Sequence, residues 1–192
     1  MPSFRASPRH PDSAPRRAAL YTPEQRVRRD ATRWTLVQGV LAPIQFLAFV
    51  VSALLVLRYL VNGSGEGAAT LSIVIKTALL YTIMVTGCIW EKRVFDCYLF
   101  APAFYWEDVV SMGVIALHTL YLWGLITGAW STRSLMWLAL AAYVTYAVNA
   151  TQFLLKLRAA RLDHAREQQA LIVRTRAPAA AHAPLASGAS PA

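Results

Sequence analysis

The sequence predicts an all-α integral membrane protein: four transmembrane helices in an antiparallel bundle, with both termini cytoplasmic. Three observations carry that prediction. Of 192 residues, 56% are hydrophobic and only 15% charged, more apolar side chain than a soluble domain of this size easily hides. Four apolar stretches, residues 34–60, 71–90, 109–127 and 134–157, are each long enough to cross a hydrocarbon core of about 30 Å. Basic residues gather in the amino-terminal arm, at Lys92 and Arg93, and at Lys156, Arg158, Arg161 and Arg166, whereas the opposite turns contain only Arg133. By the positive-inside rule the three basic regions face the cytoplasm.

The elements follow in order. Residues 1–19 carry Pro2, Pro8, Pro11 and Pro15 among Ser, Arg and Ala, a composition expected to stay a disordered tail. Residues 20–33 predict a basic amphipathic interfacial helix. Thr22 is its N-cap, Pro23 its first helical residue and Gln25 the capping-box partner. Its partner is an anionic lipid surface, met by Arg26, Arg28, Arg29 and Arg33. This polar, proline-interrupted start is no signal peptide, so the first apolar run is expected to remain as a span.

Within the transmembrane domain, residues 34–157, the first span spaces Gln38, Gln45, Ser52 and Tyr59 by sevens. These share one helical face, which must point into the bundle because an unpaired amide in lipid is costly. Whether the glutamines only hold helices together or also serve a site stays open. Pro43 predicts a kink. Residues 62–69 form a Gly and Ser turn. In the second span Lys76 is expected to snorkel to the outer surface, with a buried pairing as the alternative. Thr82 and Thr86 can bond back to their own helix. His118 lies near the middle of the third span, and Tyr146, Asn149, Gln152 and Lys156 recur on one face of the fourth. Residues 158–169 predict a charged helical extension and residues 170–192 a second disordered tail.

The net charge of +9 comes without zinc-knuckle spacing or a basic readout helix, so no nucleic acid is expected. Cys88 and Cys97 are too few for a disulfide scaffold. No nucleotide loop and no nucleophile triad is present, so no cofactor is expected.

The chemistry concentrates in residues 91–106 and the first turn after them. Glu91 ends one span and Glu107 and Asp108 begin the next, bringing three carboxylates to one membrane face. Acids in a first turn also complement the helix dipole, whereas Glu91 opposes it. A carboxylate buried beside lipid or beside another carboxylate holds its proton more tightly and can act as an acid. The pair expected to divide the acid and water-activating roles is Glu91 and Glu107, with Asp108 as substitute. Glu107 and His118 share a face about 16 Å apart, which suits two ends of a large flat ligand. His118 is then a candidate axial ligand to a tetrapyrrole metal, or else a packed histidine bonded to Tyr146 or Asn149.

Three segments, LYTPEQRVRRDATRWTLVQGVLAPIQF from Leu20, TGCIWEKRVFDCYLFAPAFYWEDVVSM from Thr86 and NATQFLLKLRAARLD from Asn149, resemble the 3-vinyl (older name 2-vinyl) bacteriochlorophyllide hydratase family. The resemblance implies that water is added to the C3 vinyl group of chlorophyllide a or a related bacteriochlorophyllide. The 3-(1-hydroxyethyl) product belongs to bacteriochlorophyll a synthesis, and no redox cofactor is implied. The expected location is the bacterial inner membrane, cytoplasmic or intracytoplasmic photosynthetic, with neighbouring pigment-biosynthesis enzymes as candidate partners. For such a substrate Arg93 is a candidate for the propionate, Tyr105 and Trp106 for the ring face, His118 for the substrate magnesium, and Tyr146, Asn149 and Gln152 for further contacts. The alternative is a non-catalytic pigment-binding or assembly protein of the photosynthetic membrane.

Overall fold

The computed structural model describes residues 20–181. These form α1 (Pro23–Ala31), α2 (Arg33–Asn62), α3 (Glu66–Phe95), α4 (Tyr105–Thr127) and α5 (Thr132–Ala181). The tail expected at residues 1–19 lies outside them, as do residues 182–192 of the second.

α1 starts by the chemistry read from its sequence. The Thr22 side chain accepts from the Gln25 amide at 3.3 Å, and the Gln25 side chain accepts from the Thr22 amide at 2.9 Å, with Pro23 at the first helical position. Thr32 then caps the start of α2 through the Trp34 amide. α2 runs on through Pro43 and stops at Gly63, whose φ of +68° lets its N–H reach the Tyr59 carbonyl at 2.8 Å.

Pairs of side chains show how the helices run. Between α2 and α3, Trp90 donates to Thr35, Gln38 to Thr86, and Ser52 bonds Ser72; each step up one helix is a step down the other. Between α3 and α4, Lys76 meets His118, while Glu91 and Asp108 come together on the adjacent Ala101 and Phe100 amides. Between α4 and α5 the pairs are Glu107 with Lys156 and Ser111 with Asn149. Consecutive helices are therefore antiparallel, and α2 closes the bundle against α5 through Ser52 and Tyr143 at 2.5 Å.

α2, α3, α4 and the first part of α5 are apolar and long enough to cross a membrane. Leu47, Leu54, Val85, Ile126 and Val144 project outward from them, an apolar surface suited to lipid. α2 and α3 have 30 residues each, about 45 Å, so their ends overhang a core of about 30 Å.

The polar face of α2 points inward as its spacing requires: Gln45 and Ser52 are buried, and Tyr59 packs on the core around Val56, Ile73 and Tyr121. Thr82 and Thr86 donate to carbonyls one turn back.

Three expectations change. Lys76 does not snorkel; it is fully buried, its Nζ 2.9 Å from His118 Nε2. The cause is that α3 begins at Glu66, leaving Lys76 ten residues, about 15 Å, from the helix end. The first turn contracts to residues 63–65 for the same reason. α5 is a single helix that joins the fourth span, the charged extension and part of the expected tail as far as Ala181. No glycine or proline interrupts it from Thr132 to Ala177.

Candidate active site

The site forms where α3 ends, residues 96–104 cross, and α4 begins. Asp96 ends α3 with a φ of +64°, held by Lys92 donating to its carbonyl and by Arg28 on its carboxylate at 2.5 Å. Phe100 also has a left-handed backbone, φ +60°, which a residue with a Cβ adopts only under local strain. The turn presents two successive amides inward. Phe100 N–H donates to Asp108 Oδ2 at 2.8 Å, and Ala101 N–H donates to Glu91 Oε2 at 3.4 Å.

Asp108 and Glu91 are thus seated on adjacent backbone donors, 4% and 6% exposed, and stand close enough for each charge to act on the other. Two buried carboxylates so placed disfavour each other's charge, so a single proton on the pair is the less costly state. Such a pair can offer an acid and a base side by side.

Glu107, equally buried, goes elsewhere. Its carboxylate meets Lys156 Nζ at 2.5 Å, and Lys156 also donates to the Ala103 carbonyl. Neighbouring helical residues point about 100° apart, so when Asp108 faces α3, Glu107 faces α5. The pair brought together is Glu91 with Asp108, not Glu91 with Glu107.

Trp90, Phe95 and Phe104 stack edge to face over this end, with Tyr21 and Phe153 packed on them. Together with Val94 they form a small apolar cluster at this end of the bundle. Cys97 sits in the crossing segment, where burial raises its thiol pKa and the Glu91 and Asp108 charges raise it further.

The other expected residues divide by place. Arg93 is exposed about 200° around α3 from Glu91, lining a cleft of about 440 Å³ with Arg28, Lys92, Asp96 and Tyr98. Tyr105 and Trp106 are also on the outside of this end. His118 is in mid-bundle with both ring nitrogens engaged, Nδ1 with the Val114 carbonyl and Nε2 with Lys76, so neither Tyr146 nor Asn149 is its partner. Tyr146 instead lies with its ring 4.3 Å from Lys76 Nζ. Asn149 donates to Ser111. Among the described residues, Gln45 Nε2 and Oε1, Asn149 Oδ1 and Gln152 Oε1 are buried without a hydrogen-bond partner. Left dry, each such atom costs about 1–3 kcal/mol.

Sequence reasoning missed the two amides and the Lys156 contact. Pro102 was one available signal, since it disfavours helix at the residue before it.

Residues 21–159 match the family described as 2-vinyl bacteriochlorophyllide hydratase (BCHF). The chain belongs to that family. It is similar to the 2-vinyl bacteriochlorophyllide hydratase of Rhodobacter capsulatus, 65% identical over 162 residues, which span 84% of this chain and 94% of the relative. It is similar also to that of Cereibacter sphaeroides, 69% identical over 151 residues, 79% and 93% of the two chains. No solved structure matches. The region matching the hydratase family contains Glu91, Asp108, Glu107 and Lys156.

Proposed function

We propose that this chain is a hydratase that adds water to the C3 vinyl group of chlorophyllide a or a related bacteriochlorophyllide, giving the 3-(1-hydroxyethyl) product. The observation that carries the reading, beside family membership, is the buried Glu91 and Asp108 pair on the Phe100 and Ala101 amides.

Asp108 has the shorter amide bond and takes the anionic role; Glu91 holds the proton. Glu91 gives that proton to the terminal vinyl carbon, whose π electrons form the new C–H bond. Positive charge is left on the adjacent carbon, where the conjugated macrocycle spreads it and the Asp108 carboxylate stabilises it. Water attacks that carbon and loses a proton to Asp108. The proton then passes from Asp108 back to Glu91, so the pair begins and ends in the same state and the sum is vinyl plus water. Such a cycle consumes nothing further.

Glu107 and Lys156 hold α4 against α5 and fix the direction in which Asp108 points. The cleft of Arg28, Lys92 and Arg93 offers guanidinium and ammonium donors to the substrate propionate. Tyr105 and Trp106 give the macrocycle edge an aromatic surface at the membrane boundary. His118 and Tyr146 lie deeper and are given no contact with the ring. The enzyme works as a multi-pass protein of the bacterial cytoplasmic or intracytoplasmic membrane.

The test is detergent-purified full-length protein with chlorophyllide a and no nucleotide. A product heavier by one water is expected. Stable pigment binding without conversion would replace this reading by that of a pigment carrier.

A further inference from the structure

A reaction that consumes water at a buried carboxyl pair raises the question of where the water waits. Four buried amide atoms point to an answer. Gln45 is 2% exposed, and neither Nε2 nor Oε1 has a partner among the described residues; the same holds for Asn149 Oδ1 and Gln152 Oε1.

The register between α2 and α5 places these groups together. Ser52 bonds Tyr143, and the rings of Phe49 and Tyr146 lie 5.0 Å apart. Continuing that antiparallel pairing brings Gln45 level with Ala150, beside Asn149. Gln152 is one turn nearer the active end of α5. Lys156 follows about one turn later, bonded to Glu107, whose neighbour in sequence is Asp108. The amides thus lie deeper along α5 than the Lys156 contact with Glu107.

We infer that Gln45, Asn149 and Gln152 form an internal water-binding site and that it supplies the water added to the substrate. Buried water settles where several polar groups converge, making about three hydrogen bonds. Two amides meeting at one level from facing helices offer a donor and two acceptors. That polar content is unusual in a layer otherwise packed with Phe49, Leu80, Val114 and Tyr146. These three amides are positioning residues, since they act on the reaction through the water they hold. The inference rests on the hydratase reading only for the fate of the water.

Two measurements on the purified full-length protein test it. Radiolytic hydroxyl labelling in heavy-oxygen water marks aromatic rings that touch bound water. Label on Phe49 or Tyr146 is expected, and a loss of label in Gln45→Met. An unlabelled layer in the wild type overturns the site, whatever the activity. In the hydration assay, Gln45→Met should lower kcat about tenfold through misplaced water. KM should stay within about twofold, and Tm should not fall, because the variant removes an unpaired amide while keeping the shape. Unchanged kcat in both Gln45→Met and Gln152→Met would overturn the supply role, and using two positions guards against misfolding of either. Labelling without any hydration by the wild type would remove the hydratase reading and leave the water site standing.

Discussion

On the proposed mechanism the two neighbouring acids at the start of α4 have different tasks, and substitution separates them. Asp108→Asn keeps the shape but removes the base, so turnover should fall at least about 100-fold with pigment binding retained; Glu91→Gln should do the same by removing the acid. Binding read by the pigment absorbance shift, and hydration followed by chromatography, check both. Because the proposed pair works with one proton, kcat should pass through an optimum in pH. Below it both groups are protonated and the attacking water has no base; above it both are ionised and the vinyl group has no acid. The other charges facing the pair, Glu107 and Lys156, compensate each other. The residual activity of Asp108→Asn should lose the acid limb of the profile, and that of Glu91→Gln the alkaline limb. Glu107→Gln should act on stability instead. It leaves Lys156 partly buried and unpaired, a loss of about 2 kcal/mol after allowance for its partial exposure, and Glu107→Gln combined with Lys156→Met should recover much of the lost Tm. A loss of turnover in Glu107→Gln as deep as in Asp108→Asn, with Tm unchanged, would return Glu107 to the chemistry.

Helices pack here by a few close contacts that each invite a test. A Cβ at Gly124 of α4 would stand 2.5 Å from Trp130 Cε3 and 3.0 Å from Leu135 Cδ2, so the turn into α5 closes only over a glycine. Gly124→Ala should cost about 1–3 kcal/mol by overpacking, read as a lower Tm in detergent. What was legible in the sequence at this scale was whatever local chemistry decides. The Thr22 capping box and the sevenfold spacing of Gln38, Gln45 and Ser52 need no tertiary knowledge, and both appear as read. Depth and rotation were not legible. Lys76 is buried because α3 starts at Glu66, and Glu107 faces Lys156 because α4 is turned so that Asp108 meets Glu91. Both facts depend on neighbouring helices. The Phe100 and Ala101 amides were hidden for a related reason: a backbone donor has no side-chain signature. The unbroken α5 was open to reading, since no glycine or proline interrupts it, but the Ala, Pro and Ser of the last residues weighed against it.

The whole bundle has two unlike ends, and its orientation in the membrane follows from them. Antiparallel pairing puts residues 63–65 and 128–131 at one end, with α1, residues 96–104 and the charged part of α5 at the other. Arg26 of α1 reaches His164 at 2.8 Å and Glu167 at 3.2 Å, so the two outer helices meet beyond the same face. That face carries Arg26, Arg28, Arg29, Lys92, Arg93 and Lys156, and the far end only Arg58, in the last turns of α2, and Arg133, at the start of α5. The positive-inside rule then predicts that the active end is cytoplasmic and that both termini are with it. A reporter that matures only in the periplasm should give signal when inserted at Gly65 and none when fused after Arg166. Signal after Arg166 with silence at Gly65 would invert the assignment. It would also open the Arg28, Lys92 and Arg93 cleft to the periplasm, so a propionate-bearing substrate made in the cytoplasm would have to cross the bilayer before those cations could hold it. The charged half of that substrate is costly to move through hydrocarbon. The same reporter pair therefore tests the proposed propionate cleft along with the orientation.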